Sequence, residues 1–127
     1  MERRSCVPIS VLVVEDDALI RMDTIDALAD AGFSVHEAKT ADEAIELLER
    51  HKEIRFLFTD VEMPGSMDGL KLAHYVRGRW PPVKIIVTSG RMSLGDDDMP
   101  TGSFFFDKPY LHENLTRKLR QWSDEAA

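Results

Sequence analysis

Three apolar runs of strand length in this chain each end in charge, and that feature most narrows the folds open to it. Val11-Leu12-Val13-Val14 runs into Glu15-Asp16-Asp17, Phe56-Leu57-Phe58-Thr59 into Asp60, and Phe104-Phe105-Phe106 into Asp107-Lys108-Pro109. A short, almost unbroken apolar run suits a strand covered on both faces, as in a parallel sheet wrapped by helices. Segments of helical period separate the runs, so strand and helix alternate as in an α/β domain. In open sheets of this kind the chemistry gathers beyond the carboxyl ends of the strands. The three charged endings should therefore meet at one edge.

Local signals place the helices. Asp17 can cap a first helix that carries Met22, Ile25, Leu28 and Ala29 on one face and stops at Gly32. Residues 34–38 read as a short second strand. Thr40-Ala41-Asp42-Glu43 has the form of a capping box, with Ala41, Ala44, Ile45 and Leu48 along the buried stripe. After the strand ending at Asp60, Asp68 can cap a third helix with Leu72, Ala73 and Val76 inward, ended by Trp80-Pro81-Pro82. Residues 83–88 are a fourth strand, apolar apart from Lys84. Residues 90–102 carry Gly95, Asp96-Asp97-Asp98 and Pro100, so a fourth helix there is expected to be short or irregular. Leu111, Leu115, Leu119 and Trp122 recur at helical spacing on a last helix.

Bulk properties set limits. A chain of 127 residues fits one domain with a core of its own and needs no disulfide or structural metal. Residues 1–8 read as a lead and 123–127 as a frayed tail, with no output domain. The net charge of −7 offers no basic footprint for nucleic acid. The single cysteine, Cys6, cannot form an internal bridge. No stretch approaches the ~20 apolar residues of a membrane span, and the amino terminus is too short and polar for a signal peptide. The expectation is a cytoplasmic protein that engages neither nucleic acid nor membrane.

Glu15-Asp16 after the first strand, Asp60 after the third, Thr88 after the fourth and Lys108-Pro109 after the fifth together resemble the receiver domain of bacterial two-component response regulators, of the chemotaxis-regulator type. The resemblance implies a single doubly wound domain of five parallel strands in the flavodoxin-like order 2-1-3-4-5. It implies that Asp60 accepts a phosphoryl group from a sensor histidine kinase or phosphotransfer protein. A carboxylate can attack phosphorus to form an acyl phosphate, and the charge brought together calls for a cation such as Mg²⁺. By the same resemblance Asp16 would bind the metal directly, Glu15 through water, and the backbone carbonyl of Glu62 would complete the protein ligands alongside Asp60. Lys108 would pair with a phosphoryl oxygen, across a Lys108-Pro109 bond that is a candidate cis peptide. Thr88 would bond a phosphoryl oxygen and Phe105 would turn inward as the switch. The resemblance also allows a homodimer that forms on phosphorylation. Self-catalysed phosphorylation and dephosphorylation are expected, without turnover as an enzyme.

Other readings remain open at this point. The protein would serve either as a signalling adaptor with an unknown downstream partner or as a phosphoryl sink. A phosphohydrolase of the haloacid-dehalogenase type would use Asp60 as nucleophile but wants an aspartate where Glu62 stands. A flavodoxin needs a phosphate loop where Glu15-Asp16-Asp17 would repel one. A receiver-like scaffold would never be phosphorylated. Glu62 is expected beside the path of a hydrolytic water. Asp17 and Asp68 read as caps, and Asp96-Asp97-Asp98 as solvated. His36, His51, His74 and His112 share no ligand spacing and read as structural or exposed. Phe104, Phe105 and Phe106 read first as core filling, and Trp80 and Trp122 as helix-end packing.

Overall fold

The computed structural model describes residues 8–63, 65, 67–90 and 98–126. Its elements run β1 (Ser10–Val14), α1 (Ala18–Asp30), β2 (Ser34–Ala38), α2 (Ala41–Arg50), β3 (Ile54–Asp60), α3 (Gly69–Arg79), β4 (Lys84–Ser89), β5 (Phe104–Asp107) and α4 (His112–Ala126). The five strands form one parallel sheet in the order β2-β1-β3-β4-β5.

Strand periodicity explains the two cores. Alternate residues of a strand point to opposite faces. Leu12 and Val14 of β1, Leu57 of β3, and Ile85 and Val87 of β4 join Ala44 and Leu48 of α2 and Leu72, Ala73 and Val76 of α3. On the other face Val11, Val13, Phe56, Phe58 and Ile86 meet Leu28 of α1 and Leu115 and Leu119 of α4. The central strands thus have no wet face, which is why they read as unbroken apolar runs.

The predicted caps are made. Asp17 Oδ1 accepts from the N–H groups of Leu19 and Ile20, and Asp68 Oδ1 from that of Lys71. At the end of α1, Phe33 N–H bonds to Leu28 O and Gly32 N–H to Ala29 O, with Gly32 at φ 97°, a left-handed turn that glycine adopts without strain. The cap of α2 departs slightly from the expected box: Glu43 N–H bonds to Thr40 Oγ1, but Glu43 Oε1 accepts from Lys39 N–H, one residue before the cap.

Three expectations are corrected. Ile25 and Leu28 pack inward as expected, but Met22 is 55 % exposed and Ala29 is also exposed, because the face that Leu28 sets on the sheet brings Thr24 inward in their place. Leu111 is 60 % exposed and precedes α4, whose first buried side chain is Leu115. The helix continues past Ser123 to Ala126, where a frayed tail was expected; Ser123 Oγ bonds back to Leu119 O at 2.8 Å. Trp122 stacks on Phe56 with ring centroids 6.2 Å apart, and Trp80 packs against the α2/α3 core, both as helix-end packing. Between β4 and β5, residues 98–103 form turns with no helix. Residues 91–97, which include Gly95, Asp96 and Asp97, lie outside the described residues, as does Cys6.

Candidate functional site

The sheet delivers its charged endings to one edge. Asp60 is the last residue of β3, in register with Thr88 of β4, and Thr88 is in register with Phe106 of β5. Glu15 and Asp16 follow β1, and Lys108 follows β5. Lys108 N–H bonds to Ser89 O, and Val61 N–H to Thr88 O, so ladder-like bonds carry the register past the strand ends.

Lys108 bridges two acids. Its Nζ lies 3.2 Å from Asp60 Oδ1 and 3.5 Å from Glu15 Oε1, with both carboxylates buried. The bond between Lys108 and Pro109 is cis. Asp60 Oδ1 is buried yet accepts no aligned hydrogen bond, so the ion pair leaves part of its demand unmet. Ligand atoms of Glu15, Asp16 and Asp60 lie within 4.8 Å of one another, with Asp16 on the exposed side.

The electrostatics follow from burial. Desolvation raises the Glu15 carboxyl to about 7, with the Asp17 N–H and Lys108 opposing and Asp60 and Asp16 reinforcing. Desolvation also raises Asp60, with Lys108 opposing and Glu62 and Asp16 adding repulsion. Burial works against the charged ammonium of Lys108, but Asp60 and Glu15 outweigh it and raise its pKa. A buried oxygen whose one cationic neighbour makes no aligned hydrogen bond, in a three-carboxylate cradle with one lysine, suits a hard divalent cation with oxygen ligands.

Neighbouring groups hold this frame. Glu15 Oε2 accepts from Asp17 N–H at 3.0 Å, and Arg21 donates to Glu15 O while pairing with Glu37. The Thr88 hydroxyl donates to Phe106 O at 2.8 Å. The Glu62 carboxylate accepts from Ser89 Oγ at 2.5 Å and from Gly90 N–H at 3.3 Å, so it is bound to the end of β4. Phe105 is half-buried against the α2/α3 core. Beside the acids, a cleft of about 440 Å³ is lined by Ile20, Asp23, Lys108, Pro109, Tyr110 and His112.

Two features escaped the sequence reading. A Cβ on Gly69 would fall 1.7 Å from Asp60 O and 2.9 Å from Thr59 Oγ1, so only glycine lets α3 start against the end of β3. The Asp68-Gly69 pair at a helix start was the available signal. The second is that His36 and His51, from separate elements, come together with ring centroids 4.5 Å apart beside Glu53, contrary to the expectation of unrelated histidines. His74 and His112 lie elsewhere, His74 Nε2 against Asp98 O and His112 beside Tyr110.

This edge sets an acidic cradle, a bridging lysine and a strand-end aspartate at the carboxyl ends of a 2-1-3-4-5 sheet, the place where doubly wound α/β domains carry their sites. Residues 11–120 match the response regulator receiver domain, and the chain belongs to that family. It is 34 % identical over 114 residues to the transcriptional regulatory protein PdtaR of Mycobacterium tuberculosis, covering 87 % of this chain and 55 % of that protein. It is 40 % identical over 82 residues to the sensor kinase CckA of Brucella abortus, covering 64 % of this chain and 9 % of that protein. The chain thus spans about half or less of these relatives. A response regulator receiver protein from Pseudomonas putida superposes with a TM-score of 0.82 at 30 % identity, covering 93 % of this chain and 99 % of that one. Receiver domains act in two-component signalling, partner with histidine kinases or phosphotransfer proteins, generally bind Mg²⁺ and are not as a rule turnover enzymes. Among the described residues no helix is long and apolar enough to cross a membrane.

Proposed function

We propose that Asp60 accepts a phosphoryl group from a histidine kinase or phosphotransfer protein, and that the modified domain either presents an altered surface to a downstream protein or returns the group as a sink. The observation that carries this reading is the placement of Lys108 Nζ within 3.2 Å of Asp60 Oδ1 and 3.5 Å of Glu15 Oε1. In the transfer, an Asp60 oxygen bonds to phosphorus as the P–N bond to the donor imidazole breaks, its nitrogen keeping the electron pair and taking a proton. Lys108 follows the charge from carboxylate to phosphoryl oxygen.

Asp16, Asp60, the Glu62 backbone carbonyl and, through water, Glu15 would hold Mg²⁺. When bound, it neutralises the carboxylates and the incoming phosphoryl oxygens. Thr88 releases Phe106 O to bond a phosphoryl oxygen, drawing in Ser89 and Gly90, and Phe105 repacks into the space vacated. A donor must seat over the acids, next to the cleft that Ile20 of α1 and Pro109 line; on the same helix Leu19 and Met22 are 75 % and 55 % exposed. Their apolar area is available to a protein partner. A hydrolase of the haloacid-dehalogenase type is less well supported, since Glu62 stands where that chemistry wants an aspartate and its carboxylate accepts from Ser89 and Gly90.

Intact mass after incubation with acetyl phosphate and Mg²⁺ tests the reading. The expected result is an adduct of about 80 Da that is absent from Asp60→Asn and abolished by chelator. An unmodified wild type would defeat it in favour of a scaffold, and steady phosphate release without adduct would favour a hydrolase.

A further inference from the structure

At the amino-terminal end of the sheet, opposite the acidic edge, three metal-ligand atoms converge that phosphoryl transfer does not use. His36 sits in the middle of edge strand β2, in register with Leu12 and so on the α2/α3 face. His51 ends α2, and Glu53 follows just before β3. Glu53 Oε2 lies 3.5 Å from His36 Nε2 and 3.4 Å from His51 Nδ1, and the three ligand atoms are all within 4.8 Å of one another.

These separations are informative. They exceed the usual N–H···O range, which ends at about 3.2 Å, so the carboxylate is not simply hydrogen-bonded to either ring. A tetrahedral ion with bonds of about 2.0–2.1 Å holds its ligands about 3.3–3.4 Å apart. Two edges of such a tetrahedron are therefore nearly in place. The imidazoles, tilted by 34°, need to swing about χ2 to aim both lone pairs at one ion. Their side chains are 21 % and 33 % exposed, which leaves a solvent side for that movement. The backbone beneath is fixed, with His51 N–H bonded to Leu47 O at 2.8 Å and His51 O accepting from Ile54 N–H at 3.3 Å.

We propose that His36, His51 and Glu53 form a site for a divalent transition metal, Zn²⁺ first, with water in the fourth position. Two imidazoles and a carboxylate suit zinc and do not suit Mg²⁺, which prefers oxygen ligands, so the two ends of the sheet select different cations. The ion ties edge strand β2, which pairs with β1 alone, to the connection between α2 and β3.

The test is zinc binding by equilibrium dialysis and calorimetry on chelator-stripped protein, with millimolar Mg²⁺ present to occupy the acidic edge. Wild type should take up one Zn²⁺ per chain, and its unfolding midpoint should rise with zinc concentration. His36→Gln and His51→Gln should each weaken uptake by at least about tenfold and lose the rise in midpoint, while His74→Gln, a histidine outside the cluster, takes up zinc as wild type does. Circular dichroism and the Asp60 mass adduct establish that the histidine variants fold. Failure of the adduct in every protein would count against phosphoryl transfer and leave the zinc result standing. No uptake by wild type, or equal uptake by the folded histidine variants, overturns the proposal; the cluster is then an ion pair, or zinc is held by the acids.

Discussion

Thr88 donates its hydroxyl to the carbonyl oxygen of Phe106, its register partner on β5, at 2.8 Å. The hydroxyl is thus committed to the neighbouring strand although Asp60 is in register on the other side. Thr88→Val keeps the shape and deletes the bond. It should cost about 0.5–1.5 kcal/mol in denaturant unfolding. The Asp60 adduct should still form, but the changes it causes in amide shifts of residues 104–107 should largely vanish. Unchanged shift differences would show that the hydroxyl is not the relay.

Two glycines of α3 should respond with opposite signs. Gly69→Ala sets a methyl against Asp60 O with no flexible group to yield, so the start of α3 must move and the loss is about 3 kcal/mol. Gly78 has nothing within 4 Å of its Cβ position, so Gly78→Ala should gain about 0.5–1 kcal/mol from helix propensity and unfolded-state entropy. Chemical denaturation of both variants checks the pair. Only Gly69→Ala should also slow adduct formation at Asp60.

Lys108→Met leaves two buried carboxylates without their cation. At pH 7.5 the variant should be about 1–3 kcal/mol less stable than wild type. The difference should shrink toward zero on acidification, because protonated Glu15 and Asp60 need no counter-charge. A pH-independent difference would mean that the side chain matters for packing alone.

The pH response of the metal-free domain follows from Glu15. Its carboxyl is raised from 4.5 in the unfolded chain to about 7 in the fold, so between those values the folded state holds the extra proton. Stability therefore falls as pH rises through that window, by roughly 3 kcal/mol from Glu15. Mg²⁺ should reverse the trend near neutrality, adding about 2.7 kcal/mol at a hundredfold excess over its Kd. Melting curves from pH 4.5 to 8, with and without Mg²⁺, read both effects.

What the sequence made legible was whatever depends on neighbours in the chain. Asp17 and Asp68 could be recognised as caps because the donors they satisfy lie two or three residues on. The ends of β1, β3 and β5 could be recognised because charge stops an apolar run. Met22 misled because a helical stripe is chosen by what it meets, and α1 meets the sheet through Leu28 and Thr24. His36 and His51 were invisible as a pair because α2 intervenes between them and only packing returns the chain to β2. Gly69 was missed for a related reason: its φ is ordinary, and its need for no side chain comes from Asp60 on another element.

The Glu15 carboxyl group has one oxygen on the amide of Asp17 and the other facing Lys108. Asp17 in turn caps α1, and the Arg21 guanidinium clasps the carbonyl of Glu15 itself. The ionic balance of the acidic edge and the foothold of α1 are consequently a single mechanical joint. Any molecule resting on Leu19, Ile20 or Met22 leans on the same joint from outside, so occupancy of that helix and charge at Asp60 should report on each other without the sheet having to bend.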